Sequence, residues 1–204
     1  MSLKNFYYEH WPKVGIVVAV FLLLILFLNS LVPIWSNSLE SIGSFVWLYW
    51  FSLPLYMIHQ FEEYVYPGGF REDLNKILLK GDTSQMVLTE KIAFFVNIVF
   101  IWILTPVLIV LGSISIIFPV GLMTLVAFNG FVHLGGTIRF KRYNPGVIVS
   151  VVGNIPLGLY VLIALGVTGE ANVLELFVGI AGGIIGHLVL LVFLALRARK
   201  ISSK

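Results

Sequence analysis

The sequence predicts an all-α protein of the polytopic membrane class, and three observations carry that expectation. Of 204 residues, 59% are hydrophobic and only 11% charged, where a soluble domain carries about 25% charged residues. The mean hydropathy of +0.99 is gathered into blocks long enough to cross a hydrocarbon core ~30 Å thick. All 13 Lys and Arg residues fall ahead of, between or after alternate blocks. So much apolar surface with so little charge also excludes disorder. Cysteine is absent, which removes disulfides, thiolate nucleophiles and Cys-ligated metal or iron–sulfur sites.

The blocks predict six spans in a single domain covering residues 1–204. The first runs over 14–35 and opens with an unbroken apolar or glycine stretch from Val14 to Leu28. That stretch exceeds a signal-peptide core and lacks a small-residue cleavage pattern, so it reads as retained. The others are expected over 42–64, 92–111, 114–138, 147–167 and 173–196. In the last, Gly179, Gly182, Gly183 and Gly186 read as small-residue helix packing, with Gly182 and Gly186 at GxxxG spacing.

Lys4 and Lys13 precede the first span. Arg71, Lys76, Lys80 and Lys91 lie between the second and third, Arg139, Lys141 and Arg142 between the fourth and fifth, and Arg197, Arg199, Lys200 and Lys204 after the sixth. The remaining loops carry only Glu40, Glu170 and Glu175. Under the positive-inside rule both termini are cytoplasmic and the protein is multi-pass in the cell (inner) membrane. The basic residues are therefore topogenic: they form no stripe and no aromatic interleaving, which argues against a nucleic-acid partner and leaves membrane lipids as the expected surroundings.

Ionisable groups inside spans cost several kcal/mol unless paired, hydrated or bound to something. The second span ends His59-Gln60-Phe61-Glu62-Glu63-Tyr64, which puts His59 one turn from both carboxylates. Asn129 and His133 repeat the i, i+4 spacing in the fourth span. His187 lies in the sixth, Asn97 in the third and Asn154 in the fifth. His133 precedes Arg139 by roughly 9 Å of helix and His187 precedes Arg197 by roughly 15 Å, while Pro67-Gly68-Gly69 must end the second span soon after His59. These polar groups are thus expected to meet in the cytoplasmic leaflet.

Imidazole and carboxylate are ligands for Zn²⁺ or Fe²⁺, and His with Glu one turn on offers two of them at fixed separation. The expected metal ligands are His59, Glu63, His133 and His187, with Glu62, Glu63 and Asn129 as catalytic candidates. Which glutamate binds the ion and which acts as base stays open at this point. Multi-histidine di-iron sites need about twice the histidines available here, and His10 lies ahead of the first span. Carboxylate-bridged di-iron sites need more intramembrane carboxylates. One divalent ion, zinc before iron, fits better, with activated water as the default chemistry.

At these positions the chain resembles the HXXEE family of small integral membrane proteins, named for the pattern seen here as His59, Glu62 and Glu63. The likeness extends to Tyr66-Pro67-Gly68-Gly69, to Asn129 with His133, and to Tyr143-Asn144-Pro145-Gly146, covering about residues 45–190. The resemblance implies that His59, Glu62, Glu63, Asn129 and His133 act as a unit; it supplies no reaction and no substrate.

Tyr143-Asn144-Pro145-Gly146 reads as a tight turn with Pro145 in the first turn of the fifth span, and Tyr143 within reach of a ligand carboxylate. The loop over 66–90 contains Arg71–Lys80, with Leu74, Ile77 and Leu78 on one face and Gly81 after it, an amphipathic helix expected at the inner interface beside the site. Three function classes follow. The first is a membrane-embedded metalloenzyme with hydrolase-like chemistry on a lipidic or small apolar substrate. The second is a small transporter or proton-coupled carrier, disfavoured by the one-sided placement of the charges and the lack of a repeat. The third is a non-catalytic membrane subunit whose polar residues specify packing.

Overall fold

A computed structural model describes residues 3–31, 44–81 and 85–203. Among these the chain is helical with no strand. We label the helices α1 (Leu3–Leu31), α2 (Phe45–Tyr64), α3 (Phe70–Leu78), α4 (Glu90–Leu111), α5 (Ile117–Phe140), α6 (Val147–Thr168) and α7 (Val173–Ser202). The end of the expected first span beyond Leu31, the start of the second at Ile42, Glu40 and Lys204 lie outside the described residues.

Five of these helices, α1, α4, α5, α6 and α7, are long and apolar enough to cross a membrane. Their outer faces carry large apolar side chains, among them Val167, Val173 and Phe177, each at least 70% exposed. Such a surface is stable only against other hydrocarbon. α2, at 20 residues, is somewhat shorter and more polar, and its Tyr49, Leu53, Tyr56 and Met57 are buried among the other helices. α5 is central, packing on α7, α6 and α4, while α2 packs on α1 and touches α4, α5 and α6.

The α5–α7 seam explains the glycines of α7 and corrects their expected register. A Cβ at Gly183 would lie 2.5 Å from the Gly121 carbonyl oxygen, and one at Gly179 would lie 2.5 Å from Val120. Gly182 meets nothing within 4 Å and Gly186 only the tip of Leu125. The close-packing pair is Gly179 and Gly183, three positions before the Gly182–Gly186 pair. Asn172 and Glu175 close a capping box at the start of α7, so Glu175 serves the helix end.

Helices α4 and α6 each contain a widened π turn, over Ile98–Ile103 and Ser150–Asn154. Both have the same cause. A proline ring displaces the carbonyl four residues earlier and offers no N–H to it. Pro106 and Pro156 place that carbonyl at Trp102 and Val152, inside the two π segments. The wide turns carry Trp102 and Ser150.

At one end of the bundle α3 lies across the helices. Gly68 (φ +72°) and Gly69 (φ +94°) make the left-handed turn that separates it from α2. The Asn75 side chain accepts from the backbone N–H groups of Val87 (2.7 Å) and Leu88 (2.9 Å), tying the connection into α4 back onto α3. Arg197 of α7 donates to the Val87 carbonyl at 2.8 Å. The amphipathic helix is therefore present, over Phe70–Leu78 rather than reaching Lys80, because the backbone leaves α-geometry at Leu79 and turns left-handed at Lys80 and Gly81. Pro145 precedes the helix instead of occupying its first turn: α6 starts at Val147, capped by Gly146.

Candidate metal centre

The last turns of α2 carry the polar sequence into the bundle, and the periodicity of the helix sends its two glutamates different ways. Glu63, four residues after His59, turns to the same side: its Oε1 lies 3.7 Å from His59 Nε2 and 3.2 Å from Nε2 of His133 on α5. The two imidazoles meet edge-to-face with centroids 4.7 Å apart. All three residues are buried, His59 completely. They form a group of possible metal ligands whose donor atoms lie within 4.8 Å of one another.

The protons of this cluster follow from its partners. Ser150 has one hydroxyl proton and donates it to the Gly146 carbonyl at 2.6 Å. Its oxygen, 3.4 Å from His59 Nδ1, is then an acceptor, so Nδ1 of His59 carries the hydrogen. The same logic applies to His133. The Asn144 side-chain amide donates to the His133 carbonyl at 3.4 Å, which turns its Oδ1 toward His133 Nδ1 at 3.3 Å. Both neutral rings therefore present the Nε2 lone pair to a carboxylate oxygen. His59 Nε2 has no hydrogen-bond partner at all. In that neutral form the two Nε2 atoms and the Glu63 carboxylate are acceptors turned on one another, 3.7 Å and 3.2 Å apart, and an outer hydrogen bond to the other ring nitrogen is how metal-binding histidines are held.

Gly146 makes this approach possible. It stands at φ +97°, and a Cβ there would lie 2.7 Å from His59 Cε1 and 2.9 Å from Cε1 and Nδ1 of His133. The turn is thus the floor of the cluster as well as the start of α6.

Glu62 faces elsewhere. Its Oε1 accepts from the Tyr143 hydroxyl at 2.6 Å and the Ile148 N–H at 2.9 Å, and its Oε2 accepts from the Val149 N–H at 2.8 Å. It fills the N-terminus of α6, where free N–H groups and the helix dipole favour an anion. Burial, then the bond to Glu62, pushes the Tyr143 phenol above its ordinary range. Tyr143 thus reaches back to a carboxylate, and the carboxylate is Glu62.

Glu63 and His133 also line a cavity of about 240 Å³ whose remaining wall is mostly apolar, including Phe70 and Leu74 of α3 and Leu191 of α7. Asn129 and His187 line it as well. The Asn129 Oδ1 is buried without a partner. His187 is buried against Phe128, ring centroids 5.3 Å apart, and stands outside the three-residue group. α3 closes one side: Phe70 packs on His133 at 5.1 Å, and Asp73 pairs with Arg142 at 3.0 Å. Asn97 belongs to a separate network, accepting from Gln60 (2.9 Å) while Trp102 donates to Gln60 (2.9 Å). Asn154 is fully buried with neither amide atom bonded.

Sequence reasoning did not place Ser150, Gly146 or the Asn144 amide at the cluster. The signal available was the spacing of Asn144, Gly146 and Ser150, which sets the first two in the turn ahead of α6 and Ser150 in its first turn.

The sequence pattern of a family described as "protein of unknown function with HXXEE motif" matches residues 50–161. No curated protein and no solved structure matches the chain. That span contains every residue of the cluster and of the turn beneath it, and the chain belongs to the HXXEE family.

Proposed function

We propose that His59, Glu63 and His133 hold a single divalent metal ion, zinc before iron, and that the site performs hydrolase-like chemistry on a lipidic or small apolar substrate taken into the adjoining cavity. The observation that carries this reading is the convergence of His59, Glu63 and His133 ligand atoms within 4.8 Å of one another, with His59 Nε2 left without a partner. A buried carboxylate beside two lone pairs needs a cation among them. The spacing suits one: two ligands at about 2.0–2.1 Å from a tetrahedral ion stand about 3.3 Å apart, against 3.2 Å and 3.7 Å for the two histidine–carboxylate separations.

A bound ion of this kind supplies Lewis-acid polarisation and water of lowered pKa. The chain's own residues divide the remaining tasks. Glu63 and the histidines hold the ion, while Ser150 and Asn144 keep both rings in the ligand tautomer. Asn129, with a free acceptor in the cavity, binds a donor on the substrate. His187 on the same cavity wall serves as a further polar contact. The apolar lining excludes bulk water and selects hydrocarbon. In this reading Glu62 organises the α2–α6 junction and does not take a proton.

The topology we infer has six spans with α2 among them and both termini cytoplasmic, which sets the site in the inner leaflet. In its support, segments bearing Lys and Arg gather at one end of the bundle: Arg197 bonds to Val87 and Arg142 to Asp73. The test is elemental analysis of purified protein after loading with Zn²⁺ or Fe²⁺, beside His59→Ala and His133→Ala. Wild type should retain about one equivalent and the variants a small fraction of it. Wild type that holds no ion under any loading condition overturns the reading.

A further inference from the structure

Glu63 borders a second cavity as well. This cleft, of about 130 Å³, lies on the other side of the α2 end, between α1, α3 and α4, and Glu63 and Tyr64 form the wall it shares with the apolar cavity. Its lining is of another kind. Glu9, Glu72 and Glu90 stand around it with Arg71; together with Glu63 that is four carboxylates to one guanidinium. Arg71 holds Glu72 at 2.9 Å and Glu90 at 2.8 Å, so it ties α3 to the start of α4 across the cleft. The Glu72 and Glu90 side chains are each about half exposed, which opens the cleft to solvent at that end. Glu63, which is buried, lines the same cleft, and its Oε1 faces the unpartnered Nε2 of His59.

We propose that this polar cleft is the inlet through which a divalent cation reaches the His59–Glu63–His133 cluster, drawn by Glu9, Glu72 and Glu90 and restrained by Arg71. The inference rests on the metal reading above and adds a route to it. A hydrated cation cannot approach through the apolar cavity without losing its water against hydrocarbon, which is prohibitive for an ion. The cleft offers carboxylates from its mouth to the ligand itself. A wall of one charge sign with low-dielectric flanks raises the local concentration of the opposite ion and its rate of arrival. One cavity then serves the ion and the other the apolar substrate, with Glu63 between them.

The route predicts rates rather than equilibrium occupancy. Metal-stripped full-length protein in zwitterionic nanodiscs is mixed with Co²⁺ or Zn²⁺ at low ionic strength, and uptake is followed by Co²⁺ absorbance or by a competing chromophoric chelator. The triple variant Glu9→Gln, Glu72→Gln, Glu90→Gln should load about tenfold more slowly, with final metal content near that of wild type. Arg71→Gln, which leaves the carboxylates unneutralised, should load faster than wild type, and added salt should narrow both differences. The opposite signs guard against a trivial loss of folding, which would slow both. Wild-type rates in both variants overturn the inlet and leave the metal site standing. Wild type that takes up neither ion overturns the metal site together with its inlet.

Discussion

Glu62 and Glu63 are adjacent in the chain and equally buried, at 5% exposure each, yet their surroundings are opposites. Around Glu62 everything is a donor: two backbone N–H groups at the start of α6 and the Tyr143 hydroxyl. Around Glu63 the near groups are the Nε2 atoms of two imidazoles, whose Nδ1 atoms face the Ser150 hydroxyl and the Asn144 amide oxygen. One carboxylate is compensated by the fold itself. The other is compensated only by something added, a metal ion or a proton. Adjacent residues of one type thus separate into a structural clamp and a ligand because a helix turns about 100° between them.

The largest effect that can break this comparison is on stability. Glu62→Ala leaves two N–H groups and a phenol without their acceptor, and each bond to a charged group is worth about 1.5–3 kcal/mol net. We expect a loss on the order of 3 kcal/mol in denaturation measured in detergent micelles, with partial recovery in Glu62→Gln, whose amide oxygen still accepts. Glu63→Gln should behave the other way, abolishing metal retention while leaving the metal-free protein as stable as wild type or more so. If Glu63→Gln destabilises the metal-free protein as much as Glu62→Ala does, Glu63 is already paired with a protonated histidine and the contrast collapses.

A smaller effect sharpens the contrast at the rings. Ser150→Ala and Asn144→Ala each remove the group that fixes one imidazole, and loss of such an outer partner typically lowers metal affinity 10–100-fold. Chelator competition on the purified variants measures it. Affinity should also fall with decreasing pH in wild type, since protons compete for the same Nε2 lone pairs. Unchanged affinity in both variants would show that the rings are oriented by packing alone.

How far this division was legible in the sequence differs from residue to residue. Hydropathy and the spacing of His59, Glu62 and Glu63 were enough to expect an apolar bundle with polar groups at one end, because both signals are periodic and local. Assigning the two glutamates was not possible in the same way. Positions i+3 and i+4 both fall beside His59, and what separates them is where α6 begins, a fact set by Gly146 some eighty residues on. The first-turn placement of Pro145 failed for a related reason: Glu62 supplies the acceptor for Ile148 and Val149, and the helix starts where those N–H groups meet it. The π turns that aim Ser150 and Trp102 come from Pro156 and Pro106. Those prolines were visible, but whether such a residue kinks, widens or ends a helix depends on what packs against the displaced carbonyl. The glycine register in α7 was ambiguous because Gly179–Gly183 and Gly182–Gly186 have the same spacing, and only the facing surface of α5 selects between them.

The smallest effect concerns the hydroxyl that completes the Glu62 clamp. Tyr143→Phe removes one donor from a carboxylate that keeps two backbone N–H bonds, so the expected cost is about 1 kcal/mol near neutral pH. Its pH dependence gives the sign. The phenol is held above its ordinary range in the folded protein, while in the unfolded chain it ionises near pH 10. Below that pH both states keep the proton and the contribution is constant. Above it the unfolded state binds fewer protons than the folded one, and the contribution declines as pH rises. Wild type should therefore keep its advantage over Tyr143→Phe from pH 8 to about pH 10 and begin to lose it between about pH 10 and pH 11 in paired denaturation curves. A difference that stays constant across that range would mean that Tyr143 contributes through the packing of its ring and not through the proton it gives to Glu62.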